Sequence, residues 1–294
     1  DCRVVSYIKE LDLITVSFII DEETYPGVAI SDGSVGIFYS TDKGLTWSGP
    51  VLRSDLSTFE IRSYYLSGIA YNPIGNTVVE NAYGVYQGVA PENPGGVLGD
   101  WNNQAFGSST LGGENYMTEY FTNSEPDHGH DGYFSQFGLT QIEDKVKGYN
   151  IWAEGGWSAF TSLGMEDIQG DFNGTGFDWD LEHSRVVPFP FDADPADGEA
   201  AWPGKWTFSD LAADMVWSDD GMIGYTFMMG TEEDNHVGVI PIIYRTEDGG
   251  DNWDPVEYDF LDDEWQEFFR DGATEPTDWL IFPARDINEE FLDF

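Results

Sequence analysis

The sequence predicts an all-β protein. Three observations predict this class: short apolar runs alternate with clusters of Gly, Asn, Asp and Pro, the chain of 294 residues contains 34 glycines, and few segments have apolar residues at helical spacing. Glycine supplies the positive φ angles that tight turns between strands require. Because 40% of the residues are hydrophobic, the chain can build a sizeable core.

The predicted elements follow one another as strands separated by turns. The strands lie at residues 4–8, 13–20, 35–39, 67–71, 222–229 and 237–244. Residues 88–135 and 188–204 are rich in turn-forming residues and show little periodicity, which predicts long surface loops, with short strands in the first of them. One short helix is predicted at residues 261–269, where four apolar side chains recur at positions i, i+4, i+7 and i+8.

The charge of the chain restricts its partners. Asp and Glu total 55 against 12 Lys and Arg, which gives a formal net charge of −43. Such a field repels phosphate backbones and anionic membrane surfaces, so the sequence predicts no binding to nucleic acid or to anionic lipid. Self-repulsion also opposes folding, and we expect high salt, bound calcium or both to offset it. A halophilic setting is therefore predicted, and a general solubility effect is the alternative.

The single cysteine, Cys2, excludes an intrachain disulfide and a cysteine-based zinc site. Lipidation of Cys2 is not expected, because Asp1 precedes it. The sequence contains no run of 18 apolar residues, so no membrane-spanning helix is predicted. The chain begins with Asp rather than Met, and we expect it to be a trimmed part of a longer exported protein.

Two segments share one turn pattern, hydroxyl-x-Asp-x-Gly-x-x-Trp, at residues 40–47 and 246–253. Each follows an apolar run and precedes a proline. The Asp and hydroxyl side chains can accept hydrogen bonds from N–H groups of the turn, glycine supplies positive φ, and the tryptophan can cover the hairpin. The matching residues are Ser40, Asp42, Gly44 and Trp47 in the first segment and Thr246, Asp248, Gly250 and Trp253 in the second.

This pattern resembles the Asp-box, also called the BNR repeat, of sialidase-like β-propellers. The resemblance implies that residues 1–294 form one β-propeller domain of six or seven blades with long loops and few helices. Blades of about 40–45 residues would place the two boxes roughly five blades apart. In that family the boxes lie at the periphery of the blades and are structural. Residues 217–221 match the pattern without its closing tryptophan and are predicted to form an ordinary turn.

A second resemblance concerns residues 68–77, which look like part of the exported surface proteins of gliding bacteria that use type IX secretion. This resemblance implies an extracellular or cell-surface location. The C-terminal secretion domain that such proteins carry is not visible in this sequence.

The arginines decide against a sialidase site. Sialidases of this fold resemble one another in three arginines that hold the substrate carboxylate, a Tyr–Glu nucleophile and an Asp acid, and the first arginine usually lies in a Phe/Tyr-Arg-Ile-Pro motif. This chain lacks the motif; Arg62 comes nearest to it, and Arg245 lies beside the second box. The main hypothesis is therefore a non-catalytic binding or scaffold propeller whose partner is a glycan or another surface protein. The alternative is an extracellular, sialidase-like glycoside hydrolase that acts on surface glycans, and among 55 acids the sequence selects no catalytic pair.

The best predicted metal site lies at residues 171–182. As a twelve-residue calcium loop, this segment places oxygen ligands at positions 1, 3, 5, 7 and 12. Position 8 is Asp178 where calcium loops have an apolar residue, and an acidic β-turn is the alternative. The predicted ligands are Asp171, Asn173, Thr175, the Phe177 carbonyl and Glu182.

Three further features are candidates for function, each with a structural alternative. The acids of residues 192–199 are predicted to bind calcium loosely or to form a solvated loop. His128 and His130 lie two positions apart between Asp127 and Asp131. In an extended segment this spacing points both rings to one face, which suits a transition metal, and a surface loop is the alternative. Tryptophans in Gly-rich segments can stack on sugar rings or pack between blades. These tryptophans are Trp101, Trp152, Trp157, Trp202 and Trp206.

Overall fold

The structure is a computed structural model that describes twelve segments of the chain. These segments are residues 5–21, 23–26, 34–54, 64–90, 103–115, 117–121, 132–154, 162–180, 185–186, 213–230, 238–256 and 282–283. Within them the chain is almost entirely β, with 3₁₀ turns at Lys9–Leu11 and Val79–Asn81. A search of these same segments finds no helix that is long and apolar enough to span a membrane.

The strands are numbered in chain order. They are β1 (Val5–Ile8), β2 (Leu13–Ile20), β3 (Ser34–Ser40), β4 (Ser48–Ser54), β5 (Tyr64–Tyr71), β6 (Tyr83–Ala90), β7 (Asn103–Thr110), β8 (Met117–Phe121), β9 (Gly132–Ile142), β10 (Lys145–Glu154), β11 (Ser162–Phe172), β12 (Phe177–Asp180), β13 (Arg185–Val186), β14 (Ala213–Trp217), β15 (Gly224–Gly230), β16 (Gly238–Thr246), β17 (Asp254–Pro255) and β18 (Phe282–Pro283).

These strands form four antiparallel sheets, and each sheet takes its strands in chain order. The first sheet is β1–β4 and the second is β5–β8. The third is β9–β12 with β13 paired to β11, and the fourth is β14–β17 with β18 paired to β16. Four-stranded sheets repeated along the chain are typical of the blades of a β-propeller. The predicted all-β propeller class is confirmed, and the count of six or seven blades stays a prediction.

The two boxes lie in different sheets. Residues 40–47 join β3 to β4 in the first sheet, and residues 246–253 join β16 to β17 in the fourth of the described sheets. The described strands of the second, third and fourth sheets begin at Tyr64, Gly132 and Ala213, which are farther apart than the about 40–45 residues of a compact blade. Because the described segments leave gaps between these sheets, the separation of roughly five blades stays a prediction.

Neighbouring sheets pack face to face. Strand β5 contacts β1 and β2 on one side and β9 on the other, and β9 contacts β14. Because successive side chains of a strand point to opposite faces, alternate residues of each sheet fill the space between it and its neighbours. The core between the first and second sheets contains Ile8, Leu13, Ile37, Ala70, Ala82 and Leu111. The core between the second and third contains Ile69, Tyr71, Tyr83, Val85, Leu139, Val146 and Phe177.

A polar link also joins the second and third sheets. The Gln141 side chain of β9 accepts a hydrogen bond from the Asn72 N–H through Oε1, at 2.8 Å. Its Nε2 donates to the Asn72 carbonyl, also at 2.8 Å. One amide side chain thus pairs with both polar groups of one residue in the neighbouring sheet.

Candidate functional site

The first turn, residues 40–47, is organised by two side chains. The Asp42 carboxylate accepts hydrogen bonds from the N–H and the hydroxyl of Thr46, at 2.8 and 2.6 Å. The Ser40 hydroxyl donates to Asp42 at 2.8 Å and accepts from the Gly44 N–H at 2.9 Å. These hydrogen bonds, led by that of the Thr46 side chain, lower the pKa of Asp42 to about 2.

The second turn, residues 246–253, repeats this arrangement. The Asp248 carboxylate accepts from the backbone and side-chain N–H groups of Asn252, at 3.0 and 2.7 Å. The Thr246 hydroxyl donates to Asp248 at 2.7 Å and accepts from the Gly250 N–H at 3.0 Å. The pKa of Asp248 is lowered to about 2 by the same kind of hydrogen bonds, with that of the Asn252 side chain first. The predicted equivalence of the two turns is confirmed, and both join the third strand of a sheet to the fourth.

A polar cleft lies between the second and third sheets and supplies the candidate functional site. We call it the turn-edge cleft, because it lies where short turns join β5 to β6, β7 to β8 and β11 to β12. In an antiparallel sheet these connections share one edge. The cavity has a volume of about 480 Å³. It is lined by Pro73, Asn76, Glu80, Asn81, Tyr83, Thr110, Gly112, Glu114, Asn115, Phe172 and Gly174.

Backbone hydrogen bonds fix the two acidic residues of the turn-edge cleft. The Gly112 N–H donates to the Glu80 carbonyl at 2.9 Å, which ties the β7–β8 turn to the β5–β6 turn. The Glu114 carbonyl accepts from the Thr110 N–H at 2.9 Å, and the Glu114 N–H donates to the Thr110 hydroxyl at 2.9 Å. Since these bonds use backbone groups, the exposed carboxylates of Glu80 and Glu114 are available to a ligand.

Aromatic rings form the floor of the turn-edge cleft. Phe172 is half-buried, and its ring packs against Tyr71 at 5.1 Å, Tyr83 at 5.2 Å and Phe177 at 5.5 Å between centroids. The Asn115 side chain donates to the Tyr83 hydroxyl at 3.0 Å. Burial, and next the charge of Asp144, raise the pKa of Tyr71, which therefore stays neutral. The floor is a packed aromatic cluster of which Phe172 also lines the cavity.

The lining of the turn-edge cleft suits a sugar. Carboxylates and amides bind hydroxyl groups, and an aromatic face packs against the C–H face of a sugar ring. The described lining residues include no lysine, arginine or histidine, so an anionic sugar acid finds no counter-charge there. This site could not be predicted from the sequence, because its residues come from three separate turns. The only local signal was the asparagine-rich character of residues 72–81.

The predicted calcium loop forms a hairpin between β11 and β12. Its turn is closed by the Asn173 side chain, which accepts hydrogen bonds from the N–H groups of Thr175 and Gly176 at 3.1 and 3.0 Å. Within residues 171–180, strand pairing therefore continues on both sides of this turn.

The predicted ligands are distributed along this hairpin. Asp171 lies in β11 opposite Asp178 of β12, and Phe177 begins β12. Glu182, the twelfth position, lies outside the described residues. Within the part of the chain that the structure describes, no three His, Cys, Asp or Glu side chains form a group suited to a metal ion. Calcium binding at residues 171–182 stays a prediction.

Of the other sequence-based candidates, Arg245 is described and does not line the turn-edge cleft. Arg245 forms an ion pair with Glu247 on the fourth sheet. Residues 192–199 and the predicted helix at 261–269 lie outside the described residues. The same is true of Arg62, His128, His130, Trp101, Trp157, Trp202, Trp206 and the side chain of Trp152.

No family model matches the chain, and no curated protein matches it. Among solved structures, the chain is similar to a polysaccharide lyase of family PL25, an ulvan lyase, with 14% identity and a TM-score of 0.43 over 86% of this chain and 54% of that one. The chain thus spans about half the length of the lyase.

Two other solved structures give matches of the same kind. For the endo-arabinase of Bacteroides thetaiotaomicron the values are 11% identity, TM-score 0.43, and 88% and 82% coverage of this chain and that one. The sialidase of Trypanosoma rangeli matches with 11% identity and a TM-score of 0.35, over 86% of this chain and 37% of that one. With TM-scores below 0.5, these likenesses assign no residue and no activity to this chain, and the fold assignment rests on its four sheets.

Proposed function

We propose that this chain is an extracellular glycan-binding β-propeller and that the turn-edge cleft is its binding site. The observation that carries the proposal is the lining of that cleft, which combines two exposed glutamates and three asparagines with the half-buried Phe172. Sugars present apolar C–H faces and several hydroxyl groups, and this combination complements both features. The extracellular location belongs to the proposal and is supported by the resemblance of residues 68–77 to exported surface proteins.

The charge of the protein selects among glycans. A net charge of −43 and a cleft with two carboxylates disfavour sulfated sugars and uronic acids, because like charges repel at the entrance and no cation among the lining residues offsets this. Neutral glycans bring no such penalty. The proposed ligand is therefore a neutral oligosaccharide or polysaccharide.

Glycoside hydrolysis is the second candidate function. It is favoured by the observation that Glu80 and Glu114 both line the same cleft, because hydrolysis of a glycosidic bond normally uses two carboxyl groups, one as acid and one as base or nucleophile. The three matched structures are also enzymes that act on glycans. Sialidase activity is not proposed, since no arginine is among the described lining residues.

Calorimetric titration with neutral oligosaccharides of different linkage tests the main proposal. At least one is expected to bind, with Glu80→Gln and Glu114→Gln each weakening affinity about tenfold, equal to about 1.4 kcal/mol. The matched control is Glu143→Gln, which changes an exposed glutamate of the β9–β10 turn outside the cleft. Equal affinity in all four proteins would place the glycan elsewhere.

Product release from the same oligosaccharides tests the second candidate. If the cleft is catalytic, both cleft variants lose hydrolysis while the control variant keeps it. If wild type binds and releases no product, the protein is a binding module. Preferred binding of uronic or sulfated oligosaccharides would contradict the electrostatic argument.

A further inference from the structure

A buried ion pair lies at the joint between the third and fourth sheets. Lys147 of β10 and Asp167 of β11 direct their side chains toward the fourth sheet, and the Lys147 Nζ lies 3.6 Å from Asp167 Oδ2. Their side chains are 2% and 0% exposed. Moving two charges out of water costs several kcal/mol per ion, so a pair of this kind persists only where its surroundings compensate it.

The second turn supplies that compensation. Lys147 Nζ donates a hydrogen bond to the Gly249 carbonyl of the turn and lies 3.9 Å from the centre of the Trp217 ring. The backbone of Gly250 lies so close to Asp167 that a Cβ there would overlap the carboxylate. The turn, the lysine and the aspartate therefore form one contact, and the pair stays buried only while the turn remains docked.

Burial dominates the ionisation of both groups. It raises the pKa of Asp167 to about 7, although Lys147 opposes the shift, and it lowers the pKa of Lys147. Other charged groups act on the pair from each packed element. They are Lys145 of β10, Asp180 of β12 and Asp251 of the second turn.

We propose that the Lys147–Asp167 pair makes the joint between the third and fourth sheets a pH-dependent latch, closed in mild acid and looser near neutral pH. The latch acts on the docking of the second turn. It is separate from the turn-edge cleft, which lies between the second and third sheets.

The direction in which pH changes the opening of the joint follows from proton linkage. In the closed joint Asp167 keeps its proton up to about pH 7. In the open joint water reaches the carboxylate, and its pKa returns to about 3.9. Between these values the closed form holds one proton more, so the opening constant rises with pH by up to about tenfold per unit and levels off above pH 7.

At higher pH, Lys147 has the opposite effect on the opening of the joint. Its lowered pKa means that the closed form loses the lysine proton before the open form does, so alkaline pH stabilises the closed form again. Opening is therefore greatest in the window where both groups are charged.

Hydrogen exchange on the full chain between pH 5 and 8 tests the latch, with rates corrected for intrinsic exchange. The first turn is an internal control, because its Gly44 N–H is bonded to Ser40 as the Gly250 N–H is bonded to Thr246. Protection of the peptide with residues 246–253 is expected to fall by about tenfold per pH unit below pH 7. Protection of residues 40–47 should change little.

Asp167→Asn is expected to remove the pH dependence of residues 246–253 and to leave residues 40–47 as in wild type. If this variant does not fold, the comparison of hydrogen exchange in the two turns of the wild-type chain still tests the proposal. Parallel pH profiles of the two turns would overturn the proposal. The proposal would also be overturned if folded Asp167→Asn kept the wild-type dependence of protection on pH at residues 246–253.

Discussion

Residues 40–47 and 246–253 form the same turn in two different surroundings. The second turn is docked: its Trp253 packs against Trp217 at 5.4 Å, and its Gly249 carbonyl contacts Lys147. In the first turn Leu45 is 84% exposed and Trp47 is 45% exposed. The hydrogen bonds within the two turns nevertheless match, so each turn forms from its own residues, and docking adds burial, as at the Gly250–Thr246 hydrogen bond of the second turn.

The sheet faces beside the two turns differ as well. The third sheet receives the second turn with a charged pair, Lys147 and Asp167. The outer face of the first sheet is an apolar groove beside its own turn, and none of the described residues of another sheet covers it. The groove is lined by Val16, Phe18, Ile19, Ile20, Tyr25, Phe38 and Trp47. One local structure therefore occurs beside polar and apolar neighbours alike.

Breaking the charged pair should produce the largest difference between the two regions. At pH 8, where Asp167 is ionised, Lys147→Ala leaves its carboxylate buried without its partner, and we expect a loss of about 3–5 kcal/mol in the free energy of unfolding. Urea denaturation measures it. Lys145→Ala is the control, because Lys145 is one-third exposed and its ion pair with Asp171 is worth about 0–1 kcal/mol. Similar losses in both variants would mean that the docked turn does not depend on the pair.

The two glycines at equivalent positions provide the next test. Gly44 and Gly250 both have positive φ, at 83° and 104°, so alanine costs about 1–2 kcal/mol at either position. At Gly250 the added Cβ also overlaps the Asp167 carboxylate, whereas at Gly44 it meets only the Trp47 ring at 3.7 Å. Gly250→Ala should therefore cost about 1–3 kcal/mol more. Equal thermal shifts would show that the contact with Asp167 relaxes without cost.

The two aspartates should behave alike. The pKa of Asp42 and of Asp248 is about 2 in the folded chain, below the value of about 3.9 in an unfolded one. Their contribution to stability is thus present above pH 4 and is lost as the pH falls toward 2.

Asp42→Asn and Asp248→Asn are each expected to flatten the loss of stability between pH 4 and 2 by the same amount. Circular dichroism melts over this range measure the slope. A clearly larger change for Asp248→Asn would mean that docking strengthens the hydrogen bonds within the turn.

Leu45→Asp should have the smallest effect. It gives the first turn the acidic residue that Asp251 provides in the second, at a position that is 84% exposed, so stability should change by less than about 0.5 kcal/mol. Urea denaturation beside Asp251→Leu, the reverse exchange, gives the comparison. A loss above about 1 kcal/mol would show that Leu45 is covered in solution and that the first turn is docked too.

The turns could be predicted from sequence because every hydrogen bond within them joins residues at most four positions apart. The docking of the second turn on the third sheet could not be predicted in this way. Lys147 and Gly249 are 102 positions apart, and a lysine beside strand residues gives no sign that it will be buried. For the same reason the turn-edge cleft could not be predicted. Its Glu80 and Glu114 come from different turns, which only the order of the strands brings together.

The calcium prediction shows a second limit. Asn173 and Thr175 stand at positions that would suit a metal, and in the structure they close a four-residue turn. Short polar side chains bind N–H groups of their own backbone as readily as they bind cations. A sequence pattern of such residues therefore does not distinguish the two until the pairing of the flanking strands is known.

The link made by Gln141 has a mechanical consequence. Its amide pairs with the N–H and the carbonyl of Asn72 at the same time, as a residue of an adjoining strand would. A pulling force that separates the second and third sheets meets these two bonds in parallel and must break them together, whereas bonds loaded in series yield one by one. At this point the joint beside the turn-edge cleft therefore opens in one step rather than by degrees.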